Sequence, residues 1–143
     1  YFTLKSLKVM TDEMLDREEE LHSSAVINIS VGGQDELTAG EGNGPVNALD
    51  EALRRALMSF YPEVGRMKLS DYRVRVLDSK ATASQVRVAI ESTDGVSVWR
   101  TVGVSGDVIN ASWQALRDSV EYMISERERR TAEALKEYFD VLR

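Results

Sequence analysis

The stretch AGEGNGPVNALDEALRRAL, residues 39–57, puts three glycines and a proline directly before an amphipathic run. Val46, Leu49, Leu53, Leu57 and Phe60 fall at i, i+3, i+7, i+11 and i+14, a stripe that predicts a helix laid on a sheet. Pro45 suits the first helical position, where its missing N–H would have had no partner. Asn43 or Gly44 then caps the helix, and Pro62 stops it. Gly40 and Gly42 allow positive φ or close backbone approach. A glycine turn opening a helix can also hold an anion on free N–H groups. The stretch therefore reads either as a turn alone, or as a turn that also binds a small carboxylate or a neighbouring subunit. It is not a Walker A loop, because no Gly-Lys-Ser/Thr follows, and its glycine spacing is wrong for a dinucleotide fingerprint.

The same turn occurs again in the second half of the chain. Thr38, Gly40, Asn47, Ala48, Ala52, Leu53 and Arg54 match Thr101, Gly103, Asn110, Ala111, Ala115, Leu116 and Arg117 at one constant offset, and Val46 corresponds conservatively to Ile109. A duplicated turn serves the fold first. Ser105 or Asp107 caps the second helix, whose stripe is Ile109, Trp113, Leu116, Val120 and Met123.

Upstream, each half carries three strands. Phe2, Leu4, Leu7 and Val9 have strand spacing with one slip that suits a bulge. Ile27, Ile29 and Val31 line one face of a second strand that ends at a Gly32-Gly33 hairpin turn, and Asp35–Gly40 returns. In the second half, Tyr72, Val74 and Val76 alternate with Arg73 and Arg75, and Val86, Val88 and Ile90 alternate with Arg87. Asp94-Gly95 then turns the chain into a third strand, 96–104. Such alternation belongs to antiparallel strands with one wet face.

The predicted fold is α+β: two pseudo-symmetric βββα units, about 1–62 and 68–125, in one domain. An extra C-terminal helix, 126–143, carries the stripe Ala132, Leu135, Phe139 and Leu142 and packs on the body or on a partner chain. Val9–Ser24 reads as a polar insertion, a mobile loop or a short charged helix.

Composition narrows the chemistry. The chain has 143 residues, a net charge of −6, one histidine and no cysteine. Disulfides, thiolate catalysis and Cys-based metal sites are excluded, which fits a cytoplasmic protein. An acidic chain whose basic cluster, Glu126–Arg130, alternates with glutamate is not a nucleic-acid binder. No apolar run approaches a membrane span, and no basic-then-apolar leader stands at the start. A lone His22 allows neither a catalytic triad nor a histidine metal motif. Asp12, Glu13, Asp16, Glu18, Glu19 and Glu20 form a solvated run rather than a carboxylate pair, so an independent small enzyme is disfavoured.

Taken together, residues 39–62, "LSDYRVRVLDS" (69–79), "VRVAIESTDG" (86–95) and "WRTVGVSGDVINASWQALRDSVEY" (99–122) resemble the C-terminal regulatory domain of 2-isopropylmalate synthase and citramalate synthase, the LeuA allosteric or dimerisation domain. The phrase "GVSGDVINASWQALRDSVEY" is more similar to the citramalate branch. The resemblance runs from about Leu4 to Ile124. It implies a parent acyltransferase that condenses acetyl-CoA with a 2-oxo acid in a separate TIM barrel, using a divalent metal there. This domain would itself hold no catalytic residue, cofactor or metal.

The resemblance further implies a homodimer that binds isoleucine or leucine as feedback inhibitor near the dimer interface. It points to Leu57, Phe60, Val64, Ser70, Val74, Trp99, Thr101, Gly103 and Ser105 as effector-binding residues. Leu57, Phe60, Val64 and Val74 would form an apolar slot, while Ser70, Thr101 and backbone groups at Gly103 and Ser105 would meet the polar end. Glu36 or Asp71 would meet the ammonium. Core packing is the competing reading for each. The alternative for the whole chain is a purely structural dimerisation module without effector binding. The long acidic insertion departs from the family pattern.

Overall fold

The computed structural model describes residues 1–12, 22–77 and 85–143. The strands are β1 (Thr3–Asp12), β2 (His22–Val31) and β3 (Gln34–Gly42), followed by helix α1 (Pro45–Met58). A short 3-10 helix, Pro62–Arg66, leads to β4 (Lys68–Val76), β5 (Val86–Thr93), β6 (Val98–Ser105) and helix α2 (Val108–Leu142). Two antiparallel sheets result, ordered β1-β2-β3 and β4-β5-β6. Helix α1 packs on β2 and β3, and α2 on β5 and β6.

The duplication is carried down to register. Ala25 pairs with Gly40 and Ile27 with Thr38; at the equivalent places of the second unit Val88 pairs with Gly103 and Ile90 with Thr101. Each first strand carries its irregularity at a matching place, between Leu4 and Ser6 and between Leu69 and Asp71. The slip expected in the first strand is thus a bulge, and its partner was not anticipated. Gly32 and Gly33 adopt φ of 57° and 84°, and Gly95 adopts 92°, as the two hairpin turns require.

Why the sheets sit so close to their helices is visible at two glycines. A Cβ at position 40 would lie 2.5 Å from the Ala52 nitrogen and 2.6 Å from the Ala48 carbonyl oxygen. At position 103 it would overlap the carbonyl oxygen of Ala111, the residue equivalent to Ala48. Helix backbone occupies the space a side chain would need. Ala48, Ala52, Ala111 and Ala115 keep the facing helix surface equally flat and are fully buried.

The core joins both halves. Ile27, Ile29, Leu49, Leu53 and Leu57 meet Met67, Val88, Ile90, Leu116 and Val120 in one cluster. Each such aliphatic chain contributes about 1.5–3 kcal/mol of burial. Phe2, just before β1, packs against Trp113 of α2, ring to ring at 6.2 Å. Where the first half has the apolar pair Ile29 and Ala56, the second has Ser92 and Ser119, whose hydroxyls bond at 2.6 Å; Trp99 Nε1 donates to Ser119 Oγ at 3.0 Å.

Three expectations change. The C-terminal helix is not a separate element: α2 runs unbroken for 35 residues, because nothing from Val108 to Leu142 is Gly or Pro. The ends of the supposed insertion, Val9–Asp12 and His22–Ser24, are paired strand, with Val9 opposite Ala25 and Asp12 opposite His22. Its middle, 13–21, lies outside the described residues. Finally, α1 ends at Met58, so Phe60 stands beyond the helix rather than on its stripe.

A groove on the pseudo-symmetry axis

Helix α1 opens at Gly44, whose extended φ of −158° is that of an ordinary N-cap but which has no side chain to cap with. Pro45 takes the first helical position as expected. The first helical bond, Ala48 N–H to the Gly44 carbonyl, leaves the N–H groups of Val46 and Asn47 without helical partners. The second unit solves the same problem differently. Asp107 Oδ1 accepts from Ile109 N at 2.8 Å, and Ser105 Oγ accepts from Asp107 N at 3.2 Å.

The two helix starts meet. Pro45 and Val46 of α1 stand with their counterparts Val108 and Ile109 of α2, and β4 closes the space with Leu69, Ser70, Asp71 and Tyr72. They enclose an open groove of about 530 Å³. Its walls are aliphatic and its polar groups few. Tyr72 shares a hydrogen bond with Ser112 at 3.3 Å, Ser70 donates to Glu91 Oε1 at 3.0 Å, and the Asp71 carboxylate accepts from Arg73 at 2.9 Å. Apolar walls with a few oriented polar groups and an open helix start are what a small zwitterion requires.

The residues implicated by resemblance do not converge on one place. Ser70 lines this groove. Leu57 and Val64 are wholly buried in the core. Phe60 is half-buried past the end of α1. Val74 is 47% exposed on β4, facing the helix side beyond the reach of α2. Thr101 Oγ1 donates to the Ala115 carbonyl at 2.7 Å, Gly103 abuts α2, and Ser105 accepts from Asp107 N. Of the two acids suggested for the ammonium, Asp71 lines the groove, while Glu36 is on β3, paired with Ile29.

Trp99 belongs to a second, smaller cavity of about 150 Å³ between the 3-10 helix, the β5–β6 turn and α2, where the Tyr122 ring packs on it at a tilt, 5.3 Å between centroids. Asp94 on its rim accepts from the Ser97 and Val96 amides, which hold its carboxyl below the usual range. Among the described residues no group of three His, Cys, Asp or Glu could hold a metal ion. No described helix is long and apolar enough to cross a membrane.

Duplicated βββα units that share one core, with their helix starts meeting at an open groove, define a two-unit α+β domain. The chain belongs to the LeuA allosteric (dimerisation) domain family, whose model matches residues 1–124. It is 51% identical over 129 residues to the (R)-citramalate synthase of Geobacter sulfurreducens, covering 90% of this chain and 24% of that protein. It is 48% identical to the (R)-citramalate synthase of Aquifex aeolicus, with 90% and 24% covered. Similarity to the 2-isopropylmalate synthase of the same organism is lower, 32% over 106 residues, covering 73% and 19%. The chain thus spans about a quarter of the length of the citramalate synthases it matches.

Proposed function

We propose that this domain regulates an (R)-citramalate synthase by binding a branched-chain amino acid, isoleucine or leucine, and pairs with a second copy of itself. The observation that carries the reading is the 51% identity to an (R)-citramalate synthase over 90% of the chain. In this reading the condensing barrel implied by the resemblance, with its acetyl-CoA and divalent metal, would lie in the part of the parent enzyme outside this chain.

The effector's seat in this reading is the groove at the helix starts, not the slot of Leu57 and Val64, which the core already fills. The carboxylate sits at the free N–H groups of Val46 and Asn47, where the α1 dipole favours negative charge. The ammonium faces Asp71. The branched side chain lies on Val46, Leu69, Val108 and Ile109, a burial worth about 1.5–3 kcal/mol. Such a ligand touches both units at once, so it favours one mutual placement of the two. A coupling of about 1–3 kcal/mol to the catalytic part suffices for feedback inhibition.

The test is thermal unfolding with isoleucine and with leucine. A ligand that binds the folded state alone stabilises it by about 2.7 kcal/mol at 100 times Kd, which raises Tm. Ile109→Trp, which fills the groove, should abolish the rise while the oligomeric state stays. If millimolar amounts of both amino acids leave Tm unchanged, effector binding is wrong. The complete burial of Leu57 and Val64 then favours the second reading, a purely structural dimerisation module.

A further inference from the structure

The second unit departs from the first in three ways, and all three fall at one place. Ile29 pairs with Glu36 in the first sheet, where Ser92 pairs with Trp99 in the second. Ala56 is answered by Ser119, which shares a hydrogen bond with Ser92 Oγ at 2.6 Å and accepts from Trp99 Nε1 at 3.0 Å. Helix α1 stops at Met58, whereas α2 runs on past the equivalent residue, Glu121. The fold needs none of this, since the first unit is built without it. Burying hydroxyls where the duplicate uses apolar groups is costly unless they hold something. What they hold is an indole. Its N–H is tied to α2 at Ser119, and its ring lines the cavity of about 150 Å³.

Trp99, Tyr122 and Met123 form the apolar side of that cavity, with Trp99 and Met123 themselves buried. A dry space of about 150 Å³ takes a body the size of benzene. The rim is cationic. Arg66 of the 3-10 helix and Arg127 and Arg130 of α2 stand on it, and none forms an ion pair among the described residues. Two of the rim acids are already engaged. Asp94 accepts from the Val96 and Ser97 amides at 2.9 and 2.7 Å, and Glu126 accepts from Arg129 at 3.0 Å. Only Glu63 is left against three guanidinium groups.

An apolar floor with a few oriented charges is the make-up of a small-molecule site. We propose that the Trp99 cavity binds a small carboxylate with a flat apolar body, the ring against Trp99 and Tyr122 and the carboxylate toward Arg66, Arg127 and Arg130. Tyr122 lies about 20 Å along α2 from Ile109 in the groove. The site is therefore separate from the proposed effector seat and does not rest on that reading. Its occupant joins the 3-10 segment between the two units to the extension of α2.

Benzoate is the probe. The chain has two tryptophans, so Trp113→Phe leaves Trp99 as the single fluorescent reporter. At constant ionic strength, millimolar benzoate should change its emission saturably. Benzamide, of the same shape without the charge, should bind on the order of tenfold more weakly. Arg66→Gln, Arg127→Gln and Arg130→Gln, all at exposed positions, should each weaken benzoate about two- to fivefold. Isoleucine and leucine should leave the benzoate titration unchanged. The Trp99 indole N–H resonance of the parent chain gives the same titration without the Trp113 substitution. The proposal is overturned if neither signal responds to benzoate, if benzamide binds as well, or if no arginine variant weakens binding. Displacement of benzoate by isoleucine or leucine also overturns it, because the cavity would then be the effector's own seat.

Discussion

Thr38 and Thr101 make the same hydrogen bond in the two units. Thr38 Oγ1 donates to the Ala52 carbonyl at 2.8 Å, and Thr101 Oγ1 to the Ala115 carbonyl at 2.7 Å. Each clips the last strand of a unit to the middle of its helix at a half-buried site. Replacing either by Val, which keeps the shape, should cost about 1 kcal/mol, and Thr→Ser should keep most of it. The two sites sit in different units, so the double variant should lose the sum to within about 0.5 kcal/mol. Urea unfolding checks both values. A cost confined to one site would show that the two halves do not use the bond alike.

Gly40 and Gly103 also stand in equivalent places, but the second is the tighter. Gly40→Ala must push a helix backbone aside and should cost about 1–3 kcal/mol. Gly103→Ala should cost more, since its methyl would overlap the Ala111 carbonyl. This bears on how a bulky residue at Gly103 would act on regulation. It would first separate β6 from α2, so loss of binding in such a variant has to be read against its Tm. Equal stability of Gly103→Ala and the parent chain would refute the close approach.

The fold was readable because duplication doubles every local signal. One glycine turn before one amphipathic stripe is weak, but the same turn, threonine and alanines recurring from Thr101 to Ala115 fix both registers. The continuity of α2 was legible too, since no breaker lies between Val108 and Leu142; the change from a buried to an exposed stripe at Ile124 disguised it. The groove was not legible. Val46, Leu69 and Ile109 are far apart in sequence, and no periodicity says that two helix starts meet across a pseudo-axis. Likewise, alternation on β4 told which side Tyr72, Val74 and Val76 face, but not that α2 stops short of covering them.

Ser92 and Ser119 replace an apolar pair by a buried polar one, and Ser119 also accepts from Trp99 Nε1. Ser119→Ala strands the Ser92 hydroxyl and should cost about 1–3 kcal/mol. Removing both hydroxyls should cost less than the sum, because no donor or acceptor of the pair is then left alone. Trp99 also reaches the Ser119 carbonyl at 3.1 Å, which survives in every variant and limits the loss. A double-mutant cycle by denaturant unfolding measures the coupling. Strict additivity would mean that the hydroxyls do not depend on one another.

Asp50 gives a pH dependence of definite sign. It is 4% exposed, and burial raises its pKa more than the Arg54 guanidinium at 2.9 Å lowers it. The folded state therefore binds the proton more tightly than the unfolded chain. The stability this contributes is present below the ordinary carboxyl pKa of 3.8 and is lost as pH rises through the raised value. Asp50→Asn lacks this dependence. Arg54, still 29% exposed and bonded to the Met67 carbonyl at 2.9 Å, tolerates the change. The stability of the parent minus that of Asp50→Asn should thus fall as pH rises above the ordinary carboxyl value of 3.8. A difference that rises with pH would mean that Arg54 outweighs burial.

Gly44 is where fold and proposed ligand compete for the same groups. A side chain there meets nothing within 4 Å, and its backbone already has N-cap geometry. Gly44→Asp should therefore cap α1 as Asp107 caps α2, with its carboxylate on the N–H groups of the first turn. A cap and a favourable dipole contact together should stabilise the free domain by about 0.5–1 kcal/mol. If the effector's carboxylate binds those N–H groups, the same substitution removes its partners and places a like charge beside it. Isoleucine or leucine should then raise Tm in the parent chain and fail to do so in Gly44→Asp, although the variant starts from a higher Tm. A more stable variant that still binds the amino acid as well as the parent would move the effector away from the start of α1.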